Sequence, residues 1–256
     1  MRSLLNKHAV ITGGSRGIGL AIAHRFAAEG ASVTLVGRDE GRLRSALDSL
    51  SASSPEHKGE TTQPSVPHGL HAFDVGEIQG WGELTNKLKE SKRPVDILVN
   101  AAGVTQDSLL FRGEFHKYQQ IINTNLMGTI QGCGAISNWM IRQKTKGCII
   151  NVSSLLAIKG GRGASVYAAS KAGIVGLTRS LATEIGQFGI RVNVLLPGYI
   201  QTEMTQTLDQ KGNLSTSIPL GRFGTTEEVA DAAAFLAKNP YAHNTVLNLD
   251  GGLSAT

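Results

Sequence analysis

The chain has 256 residues, 41% of them hydrophobic and 18% charged, with 31 glycines, two cysteines and a net charge of +5. This profile excludes a disordered or fibrous chain and fits one soluble globular domain, residues 1–256, with a sizeable core. No apolar run approaches the ~20 residues of a membrane span and no dense Lys/Arg block points to nucleic acid; Cys133 and Cys148 lack metal-ligand spacing and fit core residues in a reducing compartment.

The first predicted strand, Ala9–Thr12, starts almost at once and leaves little room for a cleavable leader. It runs into Thr12-Gly13-Gly14-Ser15-Arg16-Gly17-Ile18-Gly19. A helix over Ile18–Glu29 follows, with Ile18, Ile22 and Phe26 at helical spacing and Gly30 as its stop. Glycines in such a turn let the backbone approach a pyrophosphate, and the helix start offers free N–H donors and a favourable dipole. Gly13, Ser15, Arg16, Gly17, Ile18 and Gly19 are therefore expected to cradle the phosphates of a dinucleotide. The second strand, Ser32–Val36, leads to Gly37-Arg38. An acidic residue there would accept from both ribose hydroxyls and repel a 2′-phosphate. Arg38, with Arg16, favours the 2′-phosphate instead, so NADPH is expected over NADH. Asp39 is assigned to the start of the next helix.

Ser51 to His68 has almost no apolar residue and reads as a mobile surface insertion. The third strand, Leu70–Phe73, ends at Asp74-Val75, and the fourth, Asp96–Val99, at Asn100-Ala101-Ala102-Gly103. Ligands of open parallel sheets lie beyond the carboxyl ends of the strands. Asp74 and Val75 are thus placed at the adenine edge, and the small residues of the fourth turn let a dinucleotide lie against the backbone.

Asn125 falls inside a helical pattern, where an Asn disturbs the backbone ladder and can hold a water. Ser154 follows the fifth strand, Cys148–Val152, placed to bond a substrate carbonyl. Tyr167-Ala168-Ala169-Ser170-Lys171 opens a helical pattern that runs to Glu184, with Tyr167 and Lys171 on one face. A phenol with a reference pKa near ~10 is no poised base at neutral pH, and a neighbouring ammonium lowers it at ~1.4 kcal/mol per unit. The sixth strand is Val192–Leu196. Thr225-Thr226-Glu227-Glu228 then starts a helix carrying Val229, Ala233 and Leu236, and Val246–Leu249 is the seventh strand. Runs such as Ile97-Leu98-Val99 suit strands buried on both faces, and the strand–helix alternation predicts an α/β fold with a doubly wound parallel sheet.

The glycine motif, Asn100–Gly103, Asn125, Ser154, Tyr167, Lys171 and Pro197-Gly198-Tyr199-Ile200-Gln201-Thr202 occur in one order that resembles the short-chain dehydrogenase/reductase family from end to end. The resemblance implies a single-domain, Rossmann-like, seven-stranded sheet and a homotetramer. It places Pro197, Gly198, Ile200 and Thr202 on the nicotinamide side of the cofactor, and makes Asn125, Ser154, Tyr167 and Lys171 the catalytic set. Tyr167 would donate the proton and Lys171 would lower its pKa and bind ribose, while Asn125 would hold a relay water. The stretches Gly103–Leu110, Thr202–Thr205, Ile218–Gly224 and Asp250–Gly252 are most similar to the 3-oxoacyl-[acyl-carrier-protein] reductases, including carbonyl reductases of the mitochondrial pathway. The implied reaction is NADPH-dependent reduction of a 3-oxoacyl thioester in fatty acid biosynthesis, in the cytoplasm or the mitochondrial matrix. These enzymes use a basic residue after the active-site helix lysine for carrier docking, and Glu184-Ile185-Gly186-Gln187-Phe188-Gly189 has none. Arg142, Lys144 and Lys146 are the remaining candidates for a phosphopantetheine carrier. Two alternatives stay open: a reductase of a quinone, small ketone or polyhydroxynaphthalene, and a non-catalytic cofactor-binding subunit of a mixed tetramer.

Overall fold

A computed structural model describes residues 4–52, 67–106, 108–206 and 214–256. Most of the predicted 51–68 insertion, and Asp107 of the Gly103–Leu110 stretch, lie outside the described residues. Seven strands form one sheet: β1 His8–Thr12, β2 Ser32–Gly37, β3 Gly69–Ala72, β4 Ile97–Asn100, β5 Cys148–Val152, β6 Arg191–Pro197 and β7 Val246–Leu249. Their order is β3-β2-β1-β4-β5-β6-β7 and all neighbours are parallel. Each predicted strand lies within one residue of these bounds. The winding reverses between β1 and β4, which makes the crevice above their carboxyl ends the switch point where such sheets bind ligands.

The helices are α1 Gly17–Ala28, α2 Glu40–Ala52, α3 Ile78–Glu90, α4 Phe115–Ile121, α5 Gly128–Arg142, α6 Leu156–Lys159, α7 Ser165–Ile185 and α8 Thr226–Lys238. They cover both faces of the sheet, so alternate strand residues enter different cores. Ala9 and Ile11 of β1 join Ile22, Phe26, Leu43, Leu50, Val229 and Leu236 on one face. Val10 joins Trp81, Leu84, Ile136, Met140 and Leu181 on the other. Each such aliphatic side chain contributes about 1.5–3 kcal/mol by leaving water, which is why the strands are apolar at consecutive positions. Cys148 belongs to the first core and Cys133 to the second, so the sheet separates them. Burial pushes both thiols up, Cys133 to about 12.

Local signals set the helix starts. Thr225 and Glu228 form the predicted capping box, with Thr225 Oγ1 accepting from Glu228 N–H at 3.2 Å and Glu228 Oε2 from Thr225 N–H at 2.8 Å. Asp39 Oδ1 accepts from Arg42 N–H at 3.0 Å and starts α2, as expected. Helix α1 differs: it has neither a side-chain cap nor an acidic residue in its first turn. Helices α4 and α5 are joined by a π-helical turn, Ile122–Met127, that contains Asn125. Among the described residues no helix is long and apolar enough to cross a membrane, and no cluster of three His, Cys, Asp or Glu could hold a metal.

Candidate active site

Two cavities meet above the carboxyl ends of the strands. The larger, about 590 Å³, has one wall formed by Gly13, Ser15, Arg16, Gly17, Ile18 and Gly19. Arg38, Asp74 and Val75 stand at one end, and Ala101, Ala102, Gly103 and Val104 form the facing wall. Close packing of turns builds this groove. Gly13 has φ +65°, and a Cβ there would meet the Ala101 carbonyl at 2.9 Å; a Cβ on Gly19 would stand 2.3 Å from Gly13 O. Thr12, to which the sequence reading gave no role of its own, braces the two turns. Its Oγ1 accepts from the N–H groups of Ala101 and Ala102, each at 3.1 Å.

Asn100 does not line the groove. Its buried amide faces α5, where Nδ2 donates to Asn151 Oδ1 at 2.9 Å and lies 3.4 Å from Cys133 Sγ. The expected cofactor contact is corrected by the alternation of β4, which turns this side chain inward.

The Arg38 and Arg16 guanidiniums both have carboxylate partners that the sequence did not reveal. Arg38 Nη1 lies 3.8 Å from Asp74 Oδ2, and Arg16 Nη1 donates to Glu203 Oε2 at 2.5 Å. Asp74 Oδ1 also accepts from Gly76 N–H at 2.9 Å. Exposed pairs of this kind contribute about 0–1 kcal/mol, less than the ~1.5–3 kcal/mol of a hydrogen bond to a charged group, so a phosphate can displace the carboxylates. The uncapped start of α1 and the glycine-rich wall fit the pyrophosphate of a nicotinamide dinucleotide.

The smaller cavity, about 120 Å³, is lined by Ser153, Ser154, Tyr167, Pro197, Gly198 and Ile200 among others. It shares Ile18, Thr105, Thr202 and Met204 with the groove, so the two spaces adjoin. Ser154 Oγ accepts from Leu156 N–H at 3.1 Å. Burial pushes the Tyr167 phenol above its ordinary value, and a hydrogen bond with Ser154 offsets part of that rise.

Lys171 lies beneath the groove floor. A Cβ on Gly103 would stand 3.4 Å from both Lys171 Nζ and Asn125 Oδ1. Lys171 Nζ donates to Val152 O at 2.9 Å and sits 5.7 Å from the centre of the Tyr167 ring. Burial pulls its pKa down to about 8. In the protein alone the Lys171 hydrogen bond goes to β5, and burial is the largest cause acting on the phenol.

Asn125 acts as a bracket. Its Oδ1 accepts from Val104 N–H at 2.8 Å, and its Nδ2 donates to Val104 O at 3.0 Å and to Ser170 Oγ at 3.1 Å. The ladder disturbance expected of this residue is the π-helical turn, but both polar side-chain atoms are already engaged with protein groups rather than set aside for a water.

Arg142, Lys144 and Lys146 stand at the other end of β5 from Ser154. They lie between α5 and the amino end of β5, whereas Ser154 follows its carboxyl end. A strand of this length spans roughly 16 Å. Lys146 lines a separate hollow with Lys7, Asp96 and Arg191.

Residues 7–213 match the family model described as short chain dehydrogenase. The chain is 40% identical over 259 residues to "3-oxoacyl-[acyl-carrier-protein] reductase FabG" of Chlamydia muridarum, covering 99% of this chain and 100% of that one. It is 39% identical over 252 residues to the 3-oxoacyl-[acyl-carrier-protein] reductase of Mus musculus, covering 98% and 100%. A solved structure of a putative NAD(P) dependent gluconate 5-dehydrogenase from Beutenbergia cavernae, with bound NADP at low occupancy, is similar with a TM-score of 0.88 and 31% identity over 99% of each chain.

Proposed function

The chain belongs to the short-chain dehydrogenase family of oxidoreductases, and from that premise we propose that it reduces a 3-oxoacyl thioester to the 3-hydroxyacyl thioester with NADPH. The observation that carries this reading is the adjacency of the two cavities, since the one lined by Tyr167 and Ser154 shares Ile18, Thr105, Thr202 and Met204 with a dinucleotide-sized groove. The substrate class is supported by whole-length relatives named for that reaction. NADPH is supported by Arg16 and Arg38 on the groove wall and by the NADP in the solved relative.

NADPH held in the groove would supply the hydride for the carbonyl carbon. Ser154 Oγ donates to the carbonyl oxygen and orients it. Tyr167 donates a proton to that oxygen as negative charge develops there. A phenol is protonated at neutral pH at its ordinary value near ~10, which suits a donor. The Lys171 ammonium compensates the phenolate left behind, and its pKa of about 8 lets it pass a proton on near neutral pH. Asn125 holds the Val104 segment against α7. Pro197, Gly198, Ile200 and Thr202 line the smaller cavity, where the nicotinamide end of the cofactor would lie. Exposed Val246 on the edge strand β7 and Phe235 on α8 support the tetramer that the family resemblance implies.

The test is NADPH oxidation with acetoacetyl thioesters of acyl carrier protein and of coenzyme A, set against quinones and free ketones. Preference for the carrier thioester is expected. Preference for a quinone or a free ketone would overturn the substrate assignment.

A further inference from the structure

We infer that Gln106 is a positioning residue for Tyr167: its side-chain amide caps the start of α7 from a distant loop and so fixes the backbone from which the phenol projects. This rests on the reading of Tyr167 as proton donor.

The first turn of a helix leaves N–H groups without intrahelical partners. Helix α7 has no cap of its own, because Ala164 precedes Ser165 and offers no side-chain acceptor. Ala168 N–H bonds Ala164 O at 2.7 Å. Val166 and Tyr167 instead donate to Gln106 Oε1, at 2.8 and 3.2 Å. Gln106 is buried, and its Nε2 donates to Ser108 O at 2.7 Å. Two N–H donors on one side and a carbonyl on the other leave only one orientation for the amide.

The peptide groups on both sides of Tyr167 are thereby tied to the segment after β4. Its N–H goes to Gln106. Its C=O accepts from Ser170 Oγ at 2.6 Å, and Ser170 in turn accepts from Asn125, which holds Val104. The same segment begins with Gly103 on the groove wall. Groove and phenol therefore share one hydrogen-bonded frame. Displacements of about 1 Å between reacting groups can cost roughly 100-fold in rate, so slack at this cap should be felt in turnover before it is felt in cofactor binding.

Gln106→Met keeps the shape and removes the hydrogen bonds, whereas Gln106→Glu keeps an acceptor for both N–H groups. Gln106→Met is expected to lower kcat by about tenfold or more with NADPH affinity within about twofold of the parent. Amide exchange at Val166 and Tyr167 should rise by about tenfold. Gln106→Glu should recover most of both losses. Parent-like kcat and exchange in Gln106→Met would overturn the inference. So would a parallel loss of kcat, NADPH binding and melting temperature, which would mark general structural support. Tyr167→Phe is run alongside: if it stays active the proton-donor reading fails, and the exchange measurement still decides whether Gln106 caps α7.

Discussion

The Lys171 ammonium sits 5.7 Å from the centre of the Tyr167 ring, yet its hydrogen bond is given to the Val152 carbonyl at 2.9 Å. A cation needed beside a phenol is thus held by the sheet, buried and with no acidic partner among the described residues. Such an arrangement trades stability for function.

The cost has a sign and a window. The unfolded chain keeps the lysine proton up to the ordinary value of 10.5, whereas the folded chain releases it above about 8. Below pH 8 the buried charge therefore weakens the fold, by about 3 kcal/mol. Losing the hydrogen bond to Val152 would return about 1 kcal/mol of that. Lys171→Met should abolish turnover and raise the melting temperature at pH 7 by a few degrees, with the gain shrinking between pH 8 and 10.5. Thermal denaturation across that range checks it, and a lower melting temperature at pH 7 would refute it.

Removing the Tyr167 hydroxyl deletes the proposed proton donor and leaves the groove wall untouched. Tyr167→Phe is expected to reduce kcat by roughly 100- to 10,000-fold while NADPH binding, followed by fluorescence titration, stays near the parent. Retained turnover is the result that would sink the mechanism.

Arg38 lies at the adenosine end of the groove, 3.8 Å from Asp74. Arg38→Asp should remove the proposed 2′-phosphate partner and add a repelling charge. The ratio of kcat/KM for NADPH over NADH should fall by about tenfold or more, given ~1.5–3 kcal/mol per charged hydrogen bond. An unchanged ratio would show that Arg38 does not read the 2′-phosphate.

His8 offers a pH test that needs no substrate. It is buried in β1, with Nδ1 2.7 Å from Pro94 O and Nε2 2.9 Å from Thr34 Oγ1. Burial, then the Arg93 charge, lower its pKa from 6.5 to about 4. The unfolded chain takes up a proton below pH 6.5 that the folded one refuses until about 4. Stability is therefore full above pH 6.5 and declines as pH falls from 6.5 to about 4, by up to about 3 kcal/mol. His8→Gln should show a flatter fall in melting temperature between pH 7.5 and 5. An identical slope in the two proteins would count against His8 as a source.

The strands were legible because helices on both faces leave runs such as Ile97-Leu98-Val99 no polar position. The glycine turn, Ser154 and Tyr167 were legible because their roles follow from local position at strand ends and helix starts. Asn100 was not, since a residue closing a strand faces one way or the other by register alone. Lys146 precedes β5 and so stands at its amino end, away from Ser154, which follows the strand. The partners of Arg16 and of the α7 start, Glu203 and Gln106, lie 187 and 61 residues away in sequence and left no local signal.

Cys133 and Cys148 occupy opposite sides of an intact sheet, with burial holding both sulfurs in the unreactive thiol form. An alkylating reagent therefore meets neither until the helices packed on its face of the sheet lift away. Its labelling rate becomes a clock for opening of the two faces, able to separate a variant that has lost its chemistry from one that has lost its shape.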